Sequence, residues 1–396
     1  MKYYLQSLFI IFPSLVFCQE LPFFVNQSSQ NLPEIVLQPT NTMDMRVGDV
    51  NGDGFPDLVL AVEFFKNIIL INDGTGKFLD GSHRLPDKKA VLNEDPYPYY
   101  PYHDSEDVAL EDFDNDGDLD ILIVTEDDET NEYYLNDGKG YFEDVSHQLP
   151  VKGVSNAVIA HDFDNDGWID VMIGNNGQNY YLKNDHGKFL NETNGRLPLR
   201  NDITQDLEAN DFDKDVDLDL IVANEHENYL LINDGTGKFE DATTKYINKE
   251  YRNGETREAD FADINGDGEV DLYFANVNLF QKYEPVQSLL ININGKFVDE
   301  TLDRLGFTDL HSVLDADFVD IDNDGDLDLF YQTFERPRIF LNDGKGYFKD
   351  ITENTFPELR GMGMDIEVAD FNGDGLMDIY FGNFKTGDNL LLQVRK

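Results

Sequence analysis

Short apolar runs rich in branched and aromatic side chains recur along the chain, separated by polar turns that carry glycine. Leu119-Asp120-Ile121-Leu122-Ile123-Val124 is one such run, and the alternating segment Asp107-Val108-Ala109-Leu110-Glu111-Asp112 precedes it. A third segment, Tyr133-Tyr134-Leu135, leads into Asn136-Asp137-Gly138-Lys139-Gly140, and a fourth, Phe142-Glu143-Asp144-Val145-Ser146, follows. Alternation and β-branched enrichment predict strands. Asn-Asp-Gly is a hairpin signal, because glycine accepts positive φ. Four antiparallel strands per repeat make one blade of a β-propeller.

The phrase is repeated. Asp-x-(Asp/Asn)-x-Asp-Gly-x-x-Asp begins at Asp49, Asp112, Asp162, Asp211, Asp263, Asp320 and Asp370, once with its glycine replaced. Successive starts lie 63, 50, 49, 52, 57 and 50 residues apart. A repeat of that length overrides the two or three domains that 396 residues would otherwise suggest. The seventh copy stops at Leu390-Leu391-Leu392-Gln393-Val394 with no fourth segment. Phe24-Val25-Asn26-Gln27-Ser28 has the same Phe-x-(Asp/Asn)-x-(Ser/Thr) phase as Phe142–Ser146, Phe239–Thr243 and Phe348–Thr352. The N-terminal strand is therefore expected to complete the last blade. The expectation is an all-β, seven-bladed propeller of four-stranded antiparallel blades over residues 19–396, without open edges.

Charge says what the turns must hold. A net charge of −49 argues against nucleic acid, whose binding needs basic surface. With 40% hydrophobic and 12% aromatic residues the chain is not a disordered acidic tract. Something must hold the carboxylates together, and divalent cations suit them. In the second loop Asp112, Asp114, Asp116 and Asp120 offer side-chain oxygens and Asp118 a carbonyl, as calcium requires. An EF-hand would need glutamate at position twelve and a helix beyond. Leu60, Ile123, Ile173, Val222, Phe274, Tyr331 and Phe381 stand there instead, in strand-like runs.

These loops resemble the FG-GAP or VCBS repeat of bacterial secreted proteins, and are similar to the calcium loops of integrin α-subunit propellers. The resemblance covers residues 22–396. It implies that each loop joins the first two strands of a blade and binds calcium for rigidity, giving up to seven ions. The implied ligands are Asp49, Asn51, Asp53 and Asp57; Asp162, Asp164, Asp166 and Asp170; Asp263, Asn265, Asp267 and Asp271; Asp320, Asp322, Asp324 and Asp328; and Asp370, Asn372, Asp374 and Asp378. The fourth loop, with Asp211, Asp213, Asp215 and Asp219, departs from the pattern. Val216 replaces its glycine, and a β-branched residue at positive φ is costly.

Residues 1–18 read as an export signal, with Lys2 before a short apolar core that Pro13 interrupts. The expected location is secreted, periplasmic or cell-surface. Cleavage after Cys18 fits better than lipid anchoring there, since Phe17 is large, and it leaves the mature chain without cysteine. No other stretch suits a bilayer. On the face away from the loops, Tyr97, Tyr99, Tyr100, Tyr102, His103, Tyr251, Arg252, Arg257, Phe280 and Tyr283 are candidates for ligand contact, by stacking and hydrogen bonding. A row of acids precedes the loops by five residues: Asp44, Asp107, Asp206, Glu258, Asp315 and Asp365, with Ala157 the exception. It either rings a central channel or caps neighbouring N–H groups, and local capping is the favoured reading. The histidines are scattered and no nucleophile elbow or zinc motif occurs. The expected function is a non-catalytic recognition or adhesion module, as a monomer, for an extracellular glycan or protein. The alternatives are a calcium-dependent polysaccharide lyase or hydrolase, and an envelope scaffold.

Overall fold

The second strand of each repeat is apolar at nearly every position because neighbours cover both of its faces. In the computed structural model, described over residues 21–89, 101–126, 130–279, 287–306, 312–357, 359 and 361–395, Leu58–Val62 and Ile121–Val124 are fully buried. Val59, Ala61 and Ile69 of one sheet pack against Val108, Ile121 and Ile123 of the next. The continuous runs thus read as strands sandwiched between sheets, as periodicity predicts.

The molecule is all-β and propeller-like. Each unit but the last runs first, second, third and fourth strand in chain order, all antiparallel, as in Ser105–Glu111, Asp120–Thr125, Glu132–Asn136 and Phe142–Asp144. Two units are joined edge to edge where Asn176 pairs with Ile203 and Gly177 with Asp202. The first strands are Thr42–Gly48, Ser105–Glu111, Ser155–His161, Asp202–Asn210, Glu255–Ala262, Val313–Val319 and Met362–Ala369. Each touches the next, and the last touches the first, so the circuit closes.

Closure uses the segment expected from its phase. Phe24–Asn26 pairs antiparallel with Asn389–Gln393, in the register Phe24 to Gln393 and Asn26 to Leu391. The shared phrase has a local cause. Its Asp or Asn accepts the backbone N–H of the Ser or Thr two residues on, at 3.0 Å in Asn26–Ser28, Asp144–Ser146 and Asp241–Thr243. That hydroxyl then accepts an N–H from the preceding strand, Leu390 for Ser28, Tyr133 for Ser146 and Leu230 for Thr243. The same phrase therefore builds the same fourth strand wherever it stands in the chain. Among the described residues no helix is long and apolar enough to cross a membrane.

Neighbouring units are stitched by amides. Asn72, Asn136, Asn184, Asn233 and Asn342, each ending a third strand, donate through Nδ2 to Phe371, Val50, Phe113, Phe163 and Ile264 O of the preceding unit at 2.7–2.9 Å. In the last unit Gln393 reaches Ile321 O at 3.2 Å. The residues they hold are the buried second positions of the acidic loops.

Candidate metal centres

Every acidic loop links a first strand to a second. In the second loop Asp112 Oδ1 accepts from Asp116 N at 3.0 Å, Asp112 Oδ2 from Gly117 N at 2.9 Å and Asp116 Oδ1 from Asp118 N at 3.0 Å. The bond from the sixth residue to the first carboxylate recurs in Asp49–Gly54, Asp162–Gly167, Asp263–Gly268, Asp320–Gly325 and Asp370–Gly375, at 2.8–3.0 Å. These bonds wind the chain around the space between the carboxylates.

The final aspartate of each loop anchors it. Asp57, Asp120, Asp170, Asp219, Asp271, Asp328 and Asp378 open the second strands and are buried. Each accepts a backbone N–H from the end of the third strand at 2.8–2.9 Å, as in Asp57 with Asn72 and Asp378 with Gln393. Burial raises their carboxyls to about 7 for Asp57, Asp120, Asp219, Asp271 and Asp378, about 6 for Asp170 and about 8 for Asp328.

The residues fit a hard cation. Carboxylate oxygens converge within 4.8 Å in Asp112/Asp114/Asp120, Asp162/Asp164/Asp166, Asp211/Asp213/Asp215 and Asp320/Asp322/Asp328. Asn51, Asn265 and Asn372 replace one acid in the other three loops, where a turned amide presents an oxygen instead. Asp57 Oδ2, Asp164 Oδ1 and Asp211 Oδ1 are buried and accept no hydrogen bond. An oxygen cage around one ion in each of these three loops would satisfy them.

The third loop contains a cation of its own, which sequence reasoning missed. Lys183 Nζ binds Asp164 Oδ2 and lies 2.7 Å from Asp166 Oδ2, while Arg196 lies 3.3 Å from Asp164. The readable signal was a lysine in the third-strand slot that other repeats fill with Leu135, Ile232, Ile291 or Leu341.

The fourth loop keeps the common geometry in spite of its valine. Val216 N donates to Asp211 Oδ2 at 3.1 Å, and Val216 takes φ +81° with its side chain exposed. Lys214, two residues earlier, is also left-handed at φ +64°. A branched side chain there costs about 1–2 kcal/mol. Val216→Gly is expected to stabilise the protein by about 1 kcal/mol, read as a shifted urea midpoint. An unchanged or lowered midpoint would show that the strain is relieved elsewhere.

The raised aspartates set a pH dependence for metal-free protein. Their folded values exceed the unfolded 3.8, so their contribution to stability is full below that value. It is lost as pH rises through 6 to 8. Protein held in chelator is expected to melt higher at pH 5.5 than at pH 8 by scanning calorimetry. The reverse order would mean that other groups dominate.

On the opposite side, the described candidates for ligand contact hold connections in place. Tyr102 donates to Asp87 Oδ1 at 2.9 Å. His103 is buried 3.7 Å from Glu132, and Arg252 pairs with Glu227 at 3.1 Å. Arg257 hydrogen-bonds Gln205 and lies 3.7 Å from Glu255, and half-buried Tyr251 packs on the cluster around Phe212. Tyr97, Tyr99, Tyr100, Phe280 and Tyr283 lie outside the described residues.

The acidic row lines the channel, and its capping is not local: the N–H groups it holds lie in the first strands of the next unit, not in neighbouring loops. Asp44, Asp107 and Asp206 accept N–H groups of Val108, Val158 and Ala259 on the next unit at 2.7–3.0 Å. The whole row also lines an axial cavity of about 850 Å³.

The FG-GAP-like repeat matches residues 112–172, 162–222, 211–274 and 320–381, and the FG-GAP repeat matches residues 44–77. No curated protein matches the chain. Among solved structures the chain is similar to BBS1N in complex with ARL6DN, at 12% identity and TM-score 0.55, over 91% of this chain and 94% of that one. It is also similar to the extracellular domain of the hybrid two component system BT4673 from B. thetaiotaomicron, at 12% identity and TM-score 0.55, over 93% of this chain and 40% of that one. Identities this low speak to the fold alone. The repeat matches span more than half of the sequence, and on them the chain belongs to the FG-GAP repeat family.

Proposed function

We propose that the protein is an exported, calcium-stabilised, seven-bladed β-propeller that recognises an extracellular glycan or protein without catalysing a reaction. The observation that carries this is the division of labour between its two sides. The acidic loops occupy one end of every sheet. The turns between second and third strands, at the other end, present Leu279 and the half-buried Phe334 and Phe384 around the cavity mouth and the exposed Phe65 beside His103. Aromatic and aliphatic groups on rigid turns suit stacking against a sugar or a partner side chain. Calcium is the cation best matched to cages of carboxylate, amide and carbonyl oxygen. The lyase alternative draws little support, because His103 is buried and Arg252 is engaged by Glu227.

Incubation of calcium-loaded protein with a polysaccharide panel tests the reading. Retention without released product, reduced at least tenfold in a Phe65→Ala variant, is the expected result for a glycan binder. Unsaturated sugar products would replace it with an enzyme. With neither signal, capture of a defined protein partner lost in the same variant is required.

A further inference from the structure

The axial cavity is lined by the first strands, and its acidic residues far outnumber its two arginines, Arg46 and Arg257. Arg46 Nη1 and Nη2 lie 2.7 Å from Asp44 and 3.5 Å from Asp107. Among the described residues no arginine hydrogen-bonds the wall formed by the last two units, which Arg46 reaches only through its charge on Asp365 and Glu367. Asp315 Oδ2 and Asp365 Oδ2 accept no hydrogen bond, although these residues are only 7% and 8% exposed. A buried carboxylate oxygen without a donor is costly, and two of them side by side call for positive charge.

The cavity does not cage a small ion at this row. None of the convergent three-acid groups among the described residues includes Asp44, Asp107, Asp206, Glu258, Asp315 or Asp365. Their charge is spread around a space large enough for an organic molecule. It is also spread along the axis: Asp317 and Glu367 stand two residues beyond Asp315 and Asp365 on the same strands, roughly 6.6 Å further. That spacing is comparable to the span of a three- or four-carbon diamine link. Leu314, Met362 and Met364 line the same wall beside the acids and suit methylene groups.

We propose that this cavity binds a linear aliphatic polyamine, with ammonium groups at the Asp315–Asp365 and Asp317–Glu367 levels and methylenes against the aliphatic wall. Burial and mutual repulsion already push Asp315 and Asp365 well above the usual carboxylate range, so an entering polycation relieves an existing strain. The inference is independent of what the outer turns recognise.

The test is calorimetric titration of calcium-loaded protein at low salt with spermine, spermidine, putrescine, magnesium and a neutral glycol chain of spermine's length. One spermine per chain is expected to bind, more tightly than spermidine or putrescine, and the glycol not at all. The Asp315→Asn/Asp365→Asn double variant should weaken spermine at least tenfold, while Glu240→Gln on an exposed fourth strand should not. Hydrogen exchange on the unaltered protein gives a second reading that needs no variant: spermine should protect Val313–Val319 and Met362–Ala369. No binding, several equivalent sites indifferent to the double variant, equal displacement by magnesium, or protection confined to the acidic loops would each overturn the proposal.

Discussion

Chelation of calcium is expected to lower the melting temperature by more than about ten degrees, and restoring calcium should recover it. Without a cation four of the loops hold three carboxylates within 4.8 Å of one another on a chain that already carries a net charge of −49. A site at a hundredfold excess over its Kd contributes about 2.7 kcal/mol. The four loops with three convergent carboxylates would together contribute about 11 kcal/mol, comparable to the whole stability of an ordinary domain. The loops also carry the carbonyls that Asn72, Asn136, Asn184, Asn233 and Asn342 bind, so a loop that unwinds loosens the neighbouring sheet as well. Scanning calorimetry with and without chelator decides it, and superimposable melts would remove calcium from the account. Lys183 supplies an internal contrast. Replacing Lys183→Met takes away the third loop's own cation and should widen the gap between chelated and loaded protein.

Removal of residues 21–28 is expected to have the second large effect. Phe24 is 2% exposed, its ring 5.4 Å from Phe356, within the cluster that includes Phe330 and Phe381. Phe24→Ala alone should cost about 3–5 kcal/mol in urea unfolding. Full removal also strips the backbone partners of Asn389–Gln393 and leaves an apolar edge open to other chains. Size-exclusion chromatography should then show aggregates or oligomers. A monomer with an unshifted urea midpoint would mean that the last sheet stands without this strand.

Much of this was legible because it is local. The aspartate spacing, the Asn-Asp-Gly turns and the Phe-x-Asp-x-Thr phrase each encode bonds within a few residues, and the phase of Phe24–Ser28 marked the strand that closes the circuit. What escaped the sequence depends on contacts across the molecule. Asn136 reads as a turn residue, yet its amide also holds Val50, 86 residues earlier. Lys183 was visible as a charge in an apolar slot, but its destination was not. The acidic row posed a choice between capping and channel, whereas one carboxylate has two oxygens and serves both: Asp44 Oδ2 caps Val108 while Asp44 Oδ1 faces Arg46.

The closing pair has a topological consequence. Val394 N donates to Phe23 O at 2.9 Å, so the first and last described stretches of backbone run side by side. The place where the polypeptide is interrupted is then a matter of bookkeeping for the fold: a short linker across this seam, with a cut opened in the turn after Asn233 or Asn342, would yield a circular permutant with every sheet intact. At the seam Gln393 takes, with its longer amide, the place that asparagine holds in five other units.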